Sequence, residues 1–334
     1  MGAELLGCAV APAATYDVAL LDLDGVVYVG QRAVPNAATA LAAAVRAGMR
    51  MEFVTNNALR TPEQVAARLR GIGIDAAADA VVTSAQAAAR VLADQCGEAA
   101  RVLVTGGEGL RTAVAEAGLV AVESADDDPA AVVVGYDPTL DYARLAEAGL
   151  AVRRGALFVA CNRDDTMPTE RGPMAGMGAL AAFVETAGGR SPLVAGKPEP
   201  ALHRESVRRS RAERPLVVGD RLDTDIEGAR RAGSPSLLVL TGVTDLRTLV
   251  AAPPARRPDL VSPDLNGLVT GHPAAAGGCC ADARTEVVDG SVQVLCGAGF
   301  DVVRAGITAA WTFVDAGGDA PNADRLRTFA ATDG

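Results

Sequence analysis

Val18-Ala19-Leu20-Leu21-Asp22-Leu23-Asp24-Gly25-Val26-Val27-Tyr28 is the stretch on which the fold of this chain turns. Its first four residues form an apolar run too short for a helix, and they suit a strand buried on both faces of a parallel sheet. Two carboxylates two residues apart follow at the strand's end. If the extended geometry continues they point the same way. Like charges that close repel unless a cation lies between them or one is protonated. Gly25 lets the chain turn at once. Asp-x-Asp-Gly by itself also occurs in plain exposed loops and calcium sites, so three readings stand here: a loop, a calcium site or a catalytic pair.

Outward from that strand the pattern repeats. A helix is expected over 36–47 with Gly48 as its stop, then a strand over 51–54. Thr61-Pro62-Glu63 opens the next helix, with Thr as N-cap and Pro in the first turn. Further strands are expected at 101–105, 131–134, 157–160, 216–218 and 237–240, and further helices at 109–117, 142–150, 176–187 and 225–232. Such alternation predicts an α/β protein, a doubly wound parallel sheet with helices on both faces.

Three more segments sit where strands end. Gly219-Asp220-Arg221-Leu222-Asp223-Thr224-Asp225 follows a short apolar strand. Asp223 or Thr224 there can cap the next helix, and an acid-rich helix start is stabilised by the macrodipole. In a doubly wound sheet the carboxyl ends of neighbouring strands line the ligand crevice. Asp22, Asp24 and Asp220 would then converge and suit a hard cation such as Mg²⁺. Thr55-Asn56-Asn57 reads either as a hydroxyl and N–H groups for phosphate oxygens or as a polar turn. Lys197, in Gly196-Lys197-Pro198-Glu199-Pro200, reads as a solvent-exposed lysine or as a site cation.

Composition narrows the rest. The 334 residues suggest two domains, or one with a large insert. At 49% apolar and 22% charged, a packed core is expected, and with 3% aromatics it must be built from Ala, Val and Leu. A net charge of −10 argues against nucleic acid and anionic membranes as partners. The six cysteines, Cys8, Cys96, Cys161, Cys279, Cys280 and Cys296, include no CxxC pair and point to a reduced, cytoplasmic chain. No apolar run is long enough to span a bilayer. Residues 1–14 read as a loose N-terminal arm. Gly106-Gly107-Glu108-Gly109 lacks dinucleotide-site spacing. His203 reads as a helix-surface residue, and His272 with Cys279-Cys280 as a flexible segment rather than a metal site.

The order DxDG, Thr-Asn at a strand end, lysine, then GDxxxTD resembles the haloacid dehalogenase superfamily of phosphotransferases. The phrases Phe53-Val54-Thr55-Asn56-Asn57, Val194-Ala195-Gly196-Lys197-Pro198, Gly219-Asp220-Arg221-Leu222-Asp223-Thr224-Asp225-Ile226 and Leu240-Thr241-Gly242-Val243 are similar to the class IIA branch. That branch includes 4-nitrophenylphosphatase-like, phosphoglycolate, glycerol-phosphate and pyridoxal-phosphate phosphatases. The resemblance implies a Rossmann-like core at 15–83 and 190–270, an inserted α/β cap at 84–189 and a C-terminal extension at 275–334 outside the family pattern. It implies Mg²⁺ as cofactor, Asp22 as nucleophile forming an aspartyl-phosphate, and Asp24 as general acid and then base. Asp22, Asp220 and the Asp24 carbonyl would hold the metal. Thr55, Asn56, Asn57 and Lys197 would bind phosphate, and Asp225 would support Lys197 or metal-bound water. Asp24 argues against dehalogenation, because a halide needs no proton to leave; a mutase shares the same core.

The expected substrate is a small phosphorylated metabolite, glycerol 3-phosphate or 2-phosphoglycolate, with pyridoxal phosphate or a nucleotide as alternatives. The resemblance points to residues 162–168 as the cap's specificity loop. There Arg163 meets either a second anionic group or only solvent; Thr166 and Met167 are the other candidates. An apolar Met167 suits a small, non-aromatic leaving group. Gly135-Tyr136-Asp137 reads as structural. In the extension a hairpin is expected around Asp289-Gly290, with helices at 301–314 and 322–331 after an Ala/Gly linker at 272–278. Two expectations attach to it: a homo-oligomer formed through the cap or the extension, and, as a different class, a regulatory or binding protein working through the extension.

Overall fold

The computed structural model describes residues 4–167 and 171–330. The chain forms two compact units, one of residues 1–52, 72–75 and 210–334, the other of residues 53–71 and 76–209. The protein is α/β, as the alternation predicts.

In the first unit the strand Val18–Leu21 is buried along its whole length, which is why it carries no polar alternation. It pairs in parallel with Pro215–Gly219, and beyond that lie Ser236–Val239 and Leu260–Ser262. On its other side the sheet continues with Arg50–Thr55, which starts in this unit at Arg50, whose N–H donates to Asp17 O at 2.9 Å. The chain thus leaves Val18–Leu21 to one side and returns on the other. The switch point falls between Val18–Leu21 and Pro215–Gly219, the place where such sheets bind ligands. Asp22 and Asp220 are the residues that follow these two strands.

The N-terminal arm is not loose. Glu4–Leu5 pairs antiparallel with Ala275–Ala276, Leu5 is buried, and Cys8 bridges to His272. Those two strands open a five-stranded antiparallel sheet completed by Cys279–Cys280, Ala283–Val288 and Ser291–Cys296. The hairpin turns at Asp289-Gly290 as expected, closed by the Val288–Ser291 pair. Segment 272–278 is therefore no linker. His272 is buried, its Nε2 sits 2.8 Å from Gly267 O, and Arg304 Nη2 lies 3.3 Å from its Nδ1. Two-residue strands show no readable alternation, so these pairings were invisible in the sequence.

Helix Gly299–Asp315 packs its buried face, Val302 to Trp311, into one apolar cluster with Leu246, Leu249, Val250, Leu222 and Ile226. Trp311 is fully buried, and truncating a residue so placed costs about 3–5 kcal/mol. The final helix is shorter than expected: a 3₁₀ turn Asp324–Leu326 leads into Arg327–Ala330, and Ala331 lies outside the described residues.

The second unit holds its own parallel sheet, ordered Leu193–Val194, Leu157–Ala160, Ala131–Val134, Arg101–Thr105, Val120–Val122. Helices Tyr142–Arg153 and Met177–Gly188 cover a core of Leu103, Val132, Val134, Leu145, Val152, Phe158 and Val184. Helix Ser84–Cys96 starts on a reciprocal cap. The Gln86 N–H donates to the Thr83 hydroxyl, and the Thr83 N–H to the Gln86 side chain. Thr61 and Gln64 make the same exchange at helix Pro62–Gly71, as the Thr61 N-cap expectation requires. Among the described residues no helix is long and apolar enough to cross a membrane.

Candidate active site

In the first unit the chain leaves Val18–Leu21 with the Asp22 N–H donating to Val218 O at 2.9 Å, and it reverses at Gly25, φ +85°. That reversal is locked by the Gly25 N–H on Tyr28 O at 2.8 Å, and the apolar Leu23, Val26 and Val27 are buried behind it. A Cβ on Gly25 would stand 2.3 Å from Asp220 Oδ2, so the position excludes any side chain twice over, by conformation and by space. Asp220 is fully buried. The Val243 N–H donates to its Oδ2 at 2.6 Å, and the Thr244 N–H to its backbone O at 3.2 Å. The Thr241 hydroxyl donates to Gly25 O at 2.6 Å, tying loop 241–244 to the Asp22–Tyr28 turn.

Asp225, 1% exposed, accepts the Arg221 N–H at 3.1 Å. Neither Asp223 nor Thr224 caps this helix: no side chain caps its start, and Asp223 turns instead to the Arg221 guanidinium at 2.9 Å. Burial raises the Asp223 carboxyl, but the Arg221 guanidinium, together with its own backbone N–H and Arg256, holds it below the usual carboxylate range. The outcome is that carboxylate oxygens of Asp22, Asp220 and Asp225 all lie within 4.8 Å of one another. Asp24 is exposed, bridged through its backbone to Tyr28, and is not one of the three.

Three carboxylates this close, two of them buried, repel one another unless a cation lies among them or one is protonated. The donors are all oxygens, which suits a hard divalent ion rather than a soft one. The seat is also shaped. Gly242, like Gly25, faces the Asp220 carboxylate with no room for a side chain, its Cβ falling 2.0 Å from Oδ2. The residues present fit such an ion.

The second unit gathers the other expected residues. The Thr55 hydroxyl accepts the Asn57 N–H at 3.1 Å, and Asn57 Oδ1 accepts the N–H groups of Leu59 and Arg60 at 2.9 and 3.2 Å. Asn57 therefore shapes its turn. Asn56 clasps Lys197: its Nδ2 donates to Lys197 O at 3.1 Å, and the Lys197 N–H donates to its Oδ1 at 2.8 Å. Asn162 and Ser84 both donate to Asn56 O, at 2.8 and 2.6 Å. Lys197 is 3% exposed, so the solvent-exposed reading fails. It is also the one lysine in a chain with 31 Lys and Arg residues. A compact ammonium and a planar guanidinium are not interchangeable, and that solitary count is the sequence signal that marks the position.

Arg163 pairs with Glu185 at 2.8 Å, and Thr166–Met167 forms a strand against Met174–Ala175. Pro168, the end of the expected specificity loop, lies outside the described residues. His203 is not on the surface. It is 1% exposed, neither ring nitrogen has a hydrogen-bond partner among the described residues, and burial, with Lys197 adding, pushes its pKa down to about 3. Helix Ala201–Ser210 buries polar residues, His203, Glu205, Ser206 and Ser210, so no apolar stripe disclosed which face lies inward. The sequence of loop 241–244 discloses no role for it. Its role lies in backbone N–H groups and a missing Cβ, which no side-chain pattern reveals.

Comparison with known proteins adds the following. The sequence model of haloacid dehalogenase-like hydrolases matches residues 19–120, and a second HAD-hydrolase-like model matches 194–268. The chain is 45% identical over 306 residues to the D-glycerol 3-phosphate phosphatase of Mycobacterium tuberculosis, covering 89% of this chain and 86% of that protein. It is 40% identical over 233 residues to an acid sugar phosphatase of Staphylococcus aureus, covering 69% of this chain and 89% of that protein. The crystal structure of the Mycobacterium tuberculosis glycerol phosphate phosphatase in complex with magnesium superposes with a TM-score of 0.83 at 44% identity, covering 90% of this chain and 92% of that one. A 4-nitrophenylphosphatase from Thermotoga maritima gives 0.71 at 32% identity, covering 77% and 98%.

Proposed function

The chain belongs to the haloacid dehalogenase-like hydrolases, and from that premise we propose that it hydrolyses small phosphomonoesters, glycerol 3-phosphate first among them. The observation that carries the proposal is the meeting of the Asp22, Asp220 and Asp225 carboxylates at the switch point of the first unit's sheet. The relative that shares 45% identity over most of both chains supports the choice of ester; 2-phosphoglycolate is the second candidate.

Asp22 attacks phosphorus through a carboxylate oxygen, and the ester P–O bond breaks as the aspartyl-phosphate forms. Asp24, exposed and able to exchange protons, protonates the departing alkoxide. It then takes a proton from the water that cleaves the aspartyl-phosphate and releases inorganic phosphate. Lys197 and the Thr55 hydroxyl receive phosphoryl oxygens, with Asn56 and Asn57 shaping the segments that present them. Asp22, Asp220 and the Asp24 carbonyl would hold Mg²⁺, with Asp225 supporting them. When bound, the ion offsets repulsion between the Asp22 carboxylate and the phosphoryl oxygens. Positioning and charge compensation are most of what this chemistry asks of a protein. Residues 84–189 take the cap's role of choosing the leaving group, through Arg163, Thr166 and Met167. Cytoplasmic residence accords with six free cysteines, and assembly through the cap or the extension belongs to the same reading.

The test is phosphate release from a panel of small esters, compared by kcat/KM, with glycerol 3-phosphate expected to lead. Asp22→Asn should lower kcat by roughly three orders of magnitude or more without lowering Tm. Chelation should abolish turnover and Mg²⁺ restore it. Near-normal turnover by Asp22→Asn, or full activity in chelator, overturns the assignment.

A further inference from the structure

The five-residue helix Leu246–Val250 follows loop 241–244 directly. A helix of this length does not hold itself together in water. At its start Asp245 accepts the Thr248 N–H at 2.8 Å and the Thr248 hydroxyl at 2.7 Å. The carbonyls at its far end need partners from elsewhere. Trp311 supplies one, its Nε1–H donating to Leu249 O at 2.9 Å. Arg257 Nε donates to Ala252 O at 3.0 Å. Arg257 is in turn gripped by both oxygens of Asp315, at 2.7 Å each, and lies over the Trp311 ring at 5.1 Å. Trp311 and Asp315, four residues apart, share one face of helix Gly299–Asp315. The apolar side of the short helix, Leu246, Leu249 and Val250, is buried in the same cluster as Trp311, Ile307 and Leu326. Leu222 and Ile226, on either side of Asp223 to Asp225, lie in that cluster too.

We infer that the C-terminal segment is a positioning element for the active site: Trp311 fixes helix Leu246–Val250, that helix fixes loop 241–244, and the loop seats the Asp220 carboxylate. The seat leaves no slack. One side of the loop bonds Asp220 Oδ2 through Val243 N–H at 2.6 Å and Gly25 O through the Thr241 hydroxyl at 2.6 Å. The other end of the same unit leans on Trp311. A small displacement of the helix therefore reaches the carboxylate undamped, because packed elements shift rather than stretch. Trp311 is a positioning residue in this scheme. The scheme rests on the metal-dependent reading above, since a cation at Asp22 and Asp220 is what the seat serves.

The experiment uses the full chain and Mg²⁺ alone as probe. Trp311→Phe keeps the apolar ring but removes the N–H donor. Calorimetric titration without substrate should show its Kd for Mg²⁺ raised roughly tenfold, while KM for the ester at saturating Mg²⁺ stays within about twofold. A folded Trp311→Phe with the wild-type Kd overturns the inference. Trp311 is the only tryptophan in the chain, so wild-type emission gives a second measurement that needs no variant to fold. Emission should change along the calorimetric isotherm. Emission that stays constant while the heat of binding is released also overturns the inference. A wild type that binds no Mg²⁺ at all sinks the metal reading instead, so the two failures are distinguishable.

Discussion

His203 is an imidazole held neutral by its surroundings, and it makes stability respond to pH. Its folded pKa is about 3 against an ordinary value of 6.5. Between those values the unfolded chain binds a proton that the folded chain refuses. Stability is therefore undiminished above pH 6.5 and falls as pH drops, by ~2 kcal/mol at pH 5 from this residue alone. His272 acts in the same direction: burial lowers it, with the Gly267 carbonyl partly opposing. Urea unfolding at pH 7 and pH 5 should show the loss, and His203→Phe should shrink it; an equal loss in that variant contradicts the account. Sequence reading failed at His203 because its neighbours on the buried face are polar. Asp22 and Asp220, which the sequence expects to converge, do come together; each directly follows a short apolar run, and a charged residue at such a boundary stands out.

At the scale of elements, seven strands of the two parallel sheets were readable, since each shows a mainly apolar run, whereas Val81–Thr83, Val120–Val122, Leu193–Val194 and Leu260–Ser262, of two or three residues each, and helix Ser84–Cys96 were not. Of the antiparallel sheet in the first unit, the sequence showed only the hairpin around Asp289-Gly290. Three of its five strands have two residues each, and Glu4–Leu5 finds its partner some 270 positions away. Loop 241–244 was likewise opaque, because apart from the Thr241 hydroxyl it works through backbone N–H groups and the missing side chain of Gly242. That gives it a sharp signature. Gly242→Ala would place a carbon 2.0 Å from Asp220 Oδ2, so either the carboxylate or the loop must move. A misplacement of about 1 Å in such a site lowers kcat roughly 100-fold. Steady-state kinetics alongside Tm tests this: kcat should fall far more than stability does. A variant with wild-type kcat would show that loop 241–244 is softer than its contacts imply.

Across the whole molecule, the composition limits aromatic packing to a few anchors. With one tryptophan and 3% aromatics, the core of the second unit is mostly alanine, valine and leucine, while the C-terminal segment closes around Trp311. The low aromatic content was plain from the sequence; that the tail would hold the largest anchor was not, because its partners Leu246, Leu249 and Leu222 lie 62 to 89 positions upstream. The solitary lysine has a consequence of a different kind. Lys197 is sealed at 3% exposure beside Asn56, so chemistry aimed at side-chain amines finds no address on this surface. A succinimidyl dye should leave the native protein without a lysine adduct by mass spectrometry and mark residue 197 only after denaturation. Attachment to a sensor chip, or any cellular tag written onto lysine, meets the same closed door, and the exposed thiols of Cys279 and Cys296 are the handles left.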